Sequence, residues 1–473
     1  MTGQAAPANR AHALALDLGS TRFKLGTIDA GGDLVAVQDV AAPVLSGDGL
    51  LREGRPEEYL HGIEKLLASA SAEESLPLGL VSQRSTFLIW DRHTGAPLTP
   101  VVSWQDRRAG DWCAQHADIE SLLIRRTGLL LSPHYAGPKL AAMLAADRQL
   151  ADRLQSGDAL FGNLDAWLTW HWSGGAYHQT DVTMAARTAM YDIDAGDWSA
   201  ELLAIYGIPW TALPEVTGSL QGSPLQAMGL ELRGSIADQS AGVVAVTRAD
   251  LSSISECLIN FGTGAFVMQP AAGSSVRRPG YLTGPVLVSS EYGTRFALEG
   301  TINGVGPALD RFGPGPTSLP PVDCFPNAFV IPDQSGVGAP HWRADIGLTL
   351  SPQANQLARP EQRLICIEGL LFRVYEILLG LNDAELPGRV LVAGGLAHEP
   401  AVVAGLAALL NRSVGCLDEP QATLLGAARL VGGLPPFADP DFETVTPGAA
   451  GRYLVEKFER WRGWCAEIYR SRS

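Results

Sequence analysis

The stretch that most constrains this chain is Leu16-Asp17-Leu18-Gly19-Ser20-Thr21-Arg22-Phe23-Lys24. An apolar run from Ala13 to Leu16 leads into it, and Phe23, Leu25 and Thr27 alternate out of it. That pattern predicts strand, tight turn, strand, and Asp29-Ala30-Gly31-Gly32 predicts a second turn into a strand over Leu34–Val40. Gly19 lets the backbone fold back, while Ser20 and Thr21 offer hydroxyls and amides to phosphate oxygens. Asp17, at the strand end, suits a metal ion or its bound water, and Lys24 can neutralise phosphate charge. The same residues also suit an ordinary hairpin with a polar turn.

A second copy raises the weight of the phosphate reading. Leu258-Ile259-Asn260-Phe261-Gly262-Thr263-Gly264-Ala265-Phe266-Val267-Met268 repeats the design of apolar strand, small turn and apolar strand. Two such hairpins, each opening a half of the chain, resemble the layout of the actin-like, ribonuclease-H-like ATPase folds. The resemblance implies an α/β protein in which two related domains flank a central cleft, with ATP phosphates between the two turns. At 473 residues the chain exceeds one core and is expected to form two domains. We place them at 1–246 and 247–473, with a hinge between Ala245 and Glu256.

Composition narrows the partners. Hydrophobic residues make up 46% and charged residues 18%, so long disordered stretches are not expected. A formal charge of −15 disfavours nucleic acid and anionic membrane as partners. An anionic nucleotide must then be held by local amides, a metal and a few cations. Cys113, Cys257, Cys324, Cys366, Cys416 and Cys465 show no pair at metal-ligand spacing and suit a reducing compartment. Met1 to Ala11 reads as a loose tail rather than a signal peptide, and no apolar stretch is long enough to span a bilayer. A cytoplasmic protein is expected.

Along the first half, Tyr59, Leu60, Ile63, Leu66 and Leu67 fall at helical spacing within Pro56–Ala70. Leu78–Val81, Phe87–Trp90 and Val101–Trp104 read as strands, and polar clusters follow the first and last of them. Ligands gather beyond strand ends in open α/β sheets, which is where these clusters fall. Asp17-Leu18-Gly19-Ser20-Thr21, Gln83-Arg84 and Trp104-Gln105-Asp106-Arg107-Arg108 resemble, in order, the FGGY carbohydrate kinases, which include glycerol kinase and xylulokinase. The resemblance continues through Phe161 to Leu168, Thr180-Asp181, Ala186-Arg187-Thr188 and Leu213-Pro214-Glu215-Val216, and so covers nearly the whole chain.

Arg84 can fork onto substrate hydroxyls or a phosphate, and Trp104 can stack on the apolar face of a polyol. A surface ion pair and a core aromatic are the bland alternatives. Asp238-Gln239 follow the apolar run Ser235 to Ala237 and precede the small-residue helix Ala241 to Val246. A carboxylate there is held by free helix amides, whether it serves as a cap or as a reactive group. The family resemblance implies that Asp238 accepts the proton of the attacking hydroxyl and that Gln239 helps hold the substrate.

In the second half, the resemblance implies nucleotide contacts at Gly262, Thr263, Gly306, Asp310, Gly394 and Gly395, facing Asp17, Gly19, Ser20, Thr21 and Lys24 of the first. Ile365 to Leu381 and Tyr453 to Ile468 are expected helices. The chain also departs from the glycerol-kinase subgroup, where a glutamate follows the arginine and a tyrosine precedes the lysine segment. Ser85 and His134 stand there instead, which weakens a glycerol assignment. Ala393 and Glu399 depart from common residues on the adenosine side, and Phe312–Phe329 is short and rich in proline and glycine. The expectation is an ATP- and Mg²⁺-dependent kinase for a hydroxyl of a small sugar or polyol. Asp17 and Asp238 would hold the metal, and Arg84, Ser85, Trp104, His134 and Gln239 would line the acceptor pocket. The alternatives are a sensor of the same fold that has lost turnover and, within the kinases, a glycerol kinase. Homodimerisation is left open.

Overall fold

Two mixed sheets share one plan. The computed structural model describes residues 11–70, 76–227, 229–246, 256–271, 273, 276–290, 293–383, 385–417, 421–435 and 442–471. In the first sheet the strands lie in the order Leu34–Ala41, Arg22–Asp29, Ala11–Leu18, Pro77–Ser82, Leu230–Ala237, Leu220–Ala227. In the second the order is Leu282–Ser289, Gly293–Ile302, Ala265–Ala271, Glu256–Phe261, Arg389–Gly394, Val414–Leu417, Phe442–Val445. Each begins with an antiparallel hairpin whose first strand then pairs in parallel with a strand that arrives much later in the chain. The two expected hairpins are therefore the paired centres of the two sheets. This is the two-domain, ribonuclease-H-like fold of the actin-like ATPases.

The sheets are joined through two helices of small residues. Helix Ala422–Val431 comes from the second half of the chain, yet Leu424, Leu425, Ala427 and Ala428 share a core with Ala13, Ala15, Ile28 and Val81 of the first sheet. Helix Asp238–Val246 comes from the first half, yet Val243, Ala245 and Val246 share a core with Leu258, Met268 and Leu391 of the second. The helices meet at Gly426. A β-carbon there would stand 2.4 Å from the Ala241 carbonyl oxygen and 2.7 Å from the Ala245 β-carbon. Small side chains thus set the spacing of the lobes.

Local signals explain most elements. Pro56 opens the helix Pro56–Ser69, whose buried face is Tyr59, Ile63, Leu66 and Leu67. The helix Arg359–Leu381 begins earlier than expected because Pro360 sits at its start and Glu361 reaches back to the Ala358 amide. Helices Ala136–Ala146 and Arg148–Gln155 are separate elements, because Asp147 caps the second. The strand expected over Val101–Trp104 is limited to Val101–Val102. Beyond it the Trp104 amide donates to the Thr86 hydroxyl at 3.1 Å. The tail before Ala11 and most of the expected hinge lie outside the described residues. No described helix is long and apolar enough to cross a membrane.

Because the helix crossing leaves no room, Gly426→Val is expected to destabilise the protein by ~1–3 kcal/mol. A lowered urea midpoint would check this; unchanged stability would mean that the helices separate freely.

Candidate active site

Three parallel strands of the first sheet end at Leu18, Ser82 and Ala237, so the residues that follow them leave one edge together. Asp17 pairs in register with Lys24 on one side and Val81 on the other. Ser20 and Thr21 are exposed at the turn. The matching turn of the second sheet exposes Gly262 and Thr263 and is closed by the Gly262 amide donating to the Gly264 carbonyl at 2.8 Å. Each sheet therefore presents a hydroxyl- and amide-rich turn at the end of its hairpin.

Asp238 is the first residue of its helix, and its Oδ1 accepts the Gln239 amide at 2.8 Å. Arg84 Nε stands 3.5 Å from the same oxygen. Burial pushes the Asp238 carboxyl up, opposed by Arg84 and the Gln239 amide. Asp17 is raised to about 7, first by burial and then by the charge of Asp238, with Lys24 opposing. The charge of Asp238 thus hinders ionisation of Asp17. A divalent cation held by Asp17 and Asp238 would relieve that repulsion, and carboxyl oxygens are donors that suit Mg²⁺.

Farther along the first half, the Trp104 and His134 ring centroids are 5.8 Å apart. Arg107 Nη1 donates to the Trp104 carbonyl at 2.8 Å and lies 3.5 Å from His134 Nδ1. Burial, together with Lys139, Arg107, Arg187 and Arg84, holds His134 well below the usual imidazole range. That shift favours the neutral ring, which can both donate and accept a hydrogen bond. Ser85 differs from its expected role. It is buried with a φ of 61°, and its hydroxyl donates to the Arg187 carbonyl at 2.9 Å, so it braces the pocket wall instead of offering a free group to substrate.

The remaining expected positions divide between the turns and the outside. Gly394 ends the strand parallel to Glu256–Phe261, beside the second turn, and Gly395 follows it exposed. The Gly306 amide donates to the Thr263 carbonyl at 3.1 Å. Asp310 lies at the far, exposed end of the same helix, Val305–Asp310, away from the turn. Lys24 Nζ donates to Gln421 Oε1 at 2.9 Å, linking the first hairpin to the second half of the chain. Glu399 is tied to Arg363 at 2.9 Å.

Several groups at the centre escape a motif search. Glu299, 3% exposed, accepts from Arg84 Nη1 at 2.8 Å and from Arg187 Nη2 at 3.0 Å. The Arg84 guanidinium lies 5.5 Å from the Phe266 ring centroid, and Asn260 Nδ2 donates to Gln239 Oε1 at 3.1 Å. Glu299 does leave one signal in the sequence. A carboxylate inside the apolar run Phe296-Ala297-Leu298-Glu299-Gly300-Thr301-Ile302 requires a buried cation, and the sequence does not say which.

Comparison with known proteins agrees with this geometry. Residues 12–228 match the N-terminal domain, and 317–432 the C-terminal domain, of the FGGY family of carbohydrate kinases. A glycerol kinase from Thermus brockianus is 32% identical over 449 residues, which cover 88% of each chain. The chain belongs to the FGGY carbohydrate kinases. An apulose kinase from Pectobacterium atrosepticum is 29% identical over 488 residues, covering 95% of this chain and 96% of that one. A crystal structure of Plasmodium falciparum glycerol kinase with ADP superposes with a TM-score of 0.83 at 19% identity, over 96% of this chain and 97% of that chain. As a family member the protein is an ATP-dependent sugar kinase, and its relatives divide over the acceptor.

Gly394 has a φ of 88°, and a β-carbon there would stand 2.3 Å from the Phe261 carbonyl oxygen. Gly394→Ala is therefore expected to displace the strand end that borders the second turn. Strain of ~1–3 kcal/mol should lower stability, with a rise in KM for ATP. Wild-type KM and stability would show that this approach is not required.

Proposed function

We propose that the chain transfers the γ-phosphoryl group of Mg-ATP to a hydroxyl of a small sugar or polyol, with Asp238 as the general base. The observation that carries the reading is the placing of Asp238 between Arg84, at 3.5 Å, and Asp17, whose ionisation it hinders. In this reading the acceptor oxygen bonds to the γ-phosphorus, the bond to the β,γ-bridging oxygen breaks, and ADP leaves. The hydroxyl proton passes to the Asp238 carboxylate. Little covalent work falls to the protein beyond alignment and charge neutralisation.

The two turns, through Gly19, Ser20, Thr21, Gly262 and Thr263, hold the phosphates, with Lys24 beside Asp17. Asp17 and Asp238 would hold Mg²⁺, which would supply charge neutralisation at the phosphates. Gly394 and Gly395 border the adenosine side. Trp104 offers an apolar face, and His134 and Gln239 offer hydrogen bonds to acceptor hydroxyls. Glycerol is disfavoured as the main acceptor, because the glutamate that follows the arginine in the glycerol-kinase subgroup is here a serine whose hydroxyl is already used.

Purified protein incubated with Mg-ATP and a panel of polyols, aldoses and ketoses, glycerol among them, should yield one strongly preferred phosphorylated product by mass spectrometry. Asp238→Asn should lower kcat by a factor of about 10²–10⁴ and leave nucleotide binding largely intact. A folded, fully active Asp238→Asn protein would remove the base assignment. Ligand binding without any product would point to a sensor.

Metal binding should also be proton-linked. With Asp17 titrating at about 7, part of its population carries a proton at neutral pH, and a cation favours the ionised form. Calorimetry of Mg-nucleotide binding at pH 7 in buffers of different ionisation enthalpy should show roughly half a proton released. The release should shrink at pH 8.5 and in Asp17→Asn. A pH-independent, proton-neutral association would place the metal elsewhere.

A further inference from the structure

Glu299 stands in strand Gly293–Ile302 of the second sheet, whereas both of its partners belong to the first half of the chain. Arg84 follows the strand Pro77–Ser82, and Arg187 follows the short helix Val182–Ala185. The Arg84 guanidinium meets Glu299 through Nη1 at 2.8 Å and through Nη2 at 3.5 Å, and its Nε edge faces Asp238 at 3.5 Å. Phe266, also from the second sheet, lies under its face. Two groups of one lobe thus grip an arginine whose other carboxylate neighbour lies in its own lobe.

A guanidinium has a limited set of donors in a fixed plane, so its two carboxylate neighbours compete for its orientation. With Glu299 taking the Nη fork, Asp238 receives only the Nε edge at long range. Withdrawal of the second lobe would carry Glu299 and Phe266 away together. Asp238 would then be the carboxylate closest to the released fork, and a bidentate pair would occupy the oxygens needed for the acceptor hydroxyl.

We propose that Glu299 is a positioning residue that holds Arg84 off Asp238 while the lobes are together, so that Asp238 is free to serve the acceptor only in the closed cleft. The inference rests on Asp238 as the base. Arg187 takes the second side of the Glu299 carboxylate and keeps that group ionised inside the protein. Burial opposes its charge, but Arg187 and Arg84 hold Glu299 below the usual carboxylate range. The arrangement couples lobe approach to readiness of the base without a contact between Glu299 and the reacting atoms.

The test is a double-mutant cycle on the full chain, with the acceptor found in the panel. Glu299→Gln keeps the shape of the side chain and removes the charge that fixes the fork. It is expected to lower kcat about 100-fold, as loss of alignment does, with KM for ATP nearly unchanged. In an Arg84→Ala background the same substitution should cause no further loss of kcat, because the residue through which Glu299 acts is gone. Phe266→Leu leaves every charge in place and serves if Glu299→Gln does not fold. It should lower kcat severalfold alone and have no effect beside Arg84→Ala. Unchanged kcat in a folded Glu299→Gln protein, or losses that multiply in the Arg84→Ala background, would overturn the proposal. If Asp238→Asn is inactive while the Glu299 and Phe266 variants are normal, only this inference falls. If Asp238→Asn is fully active, the base assignment falls first.

Discussion

The crossing of two small-residue helices is the constraint on which the rest of the molecule depends. Ala241, Ala245 and Gly426 let helices Asp238–Val246 and Ala422–Val431 approach until backbone meets side chain with no space between. Each helix also belongs to the core of the opposite sheet. Bulkier residues would move the sheets apart by the thickness of a side chain. Contacts such as Arg84–Glu299 and Gln239–Asn260 span the cleft with hydrogen bonds near 3 Å and could not stretch to follow. The chemistry of the cleft is thus set by packing that lies behind it.

The same geometry explains why charge collects here in a chain that is otherwise ordinary in composition. Parallel strands deliver Asp17, Arg84 and Asp238 to one edge, and the second sheet adds Glu299 from the far side. Burial would make each of these groups costly alone. Together they limit one another. Glu299 is compensated by two arginines, Arg84 by two carboxylates, and Asp17 by Lys24. Asp17 and Asp238 are the least compensated of these carboxylates, which in the proposed reading would suit a place where a nucleotide brings its own cation.

The sequence made the elements legible but not the contacts between lobes. Period-two patterning located both hairpins, and Asp238 ahead of a small-residue run located the helix start. Those are local signals, carried within ten residues. Glu299 finds its partners 215 and 112 positions away, and Asn260 meets Gln239 because helix Asp238–Val246 packs on the second sheet. Ser85 shows the opposite failure. Its place beside Arg84 suggested a substrate group, but a left-handed backbone turns its hydroxyl to the Arg187 carbonyl. Asp310 likewise follows Gly306 by one short helix, which is enough to carry it to the exposed end. Spacing along the chain predicts which elements carry a residue, and side-chain direction then depends on packing that no local pattern encodes.

The balance of charge also bears on the acceptor. Around Glu299, two guanidiniums face two carboxylates, and His134 is held neutral by burial and by the cations near it. Arg107 bonds to the carbonyl oxygens of Trp104 and Asp106 and contributes its charge at the rim. An acceptor with its own carboxylate would have to draw Arg84 or Arg187 away from Glu299 and leave that group buried without compensation. In the proposed reading a neutral polyhydroxy compound would ask only for hydrogen bonds, from the His134 ring, the Gln239 amide and the Asp238 carboxylate, and for the apolar face of Trp104. The Ser85 hydrogen is committed to the Arg187 carbonyl, so in the same reading a compound bound there would look to His134 and Gln239 for its hydrogen-bond partners.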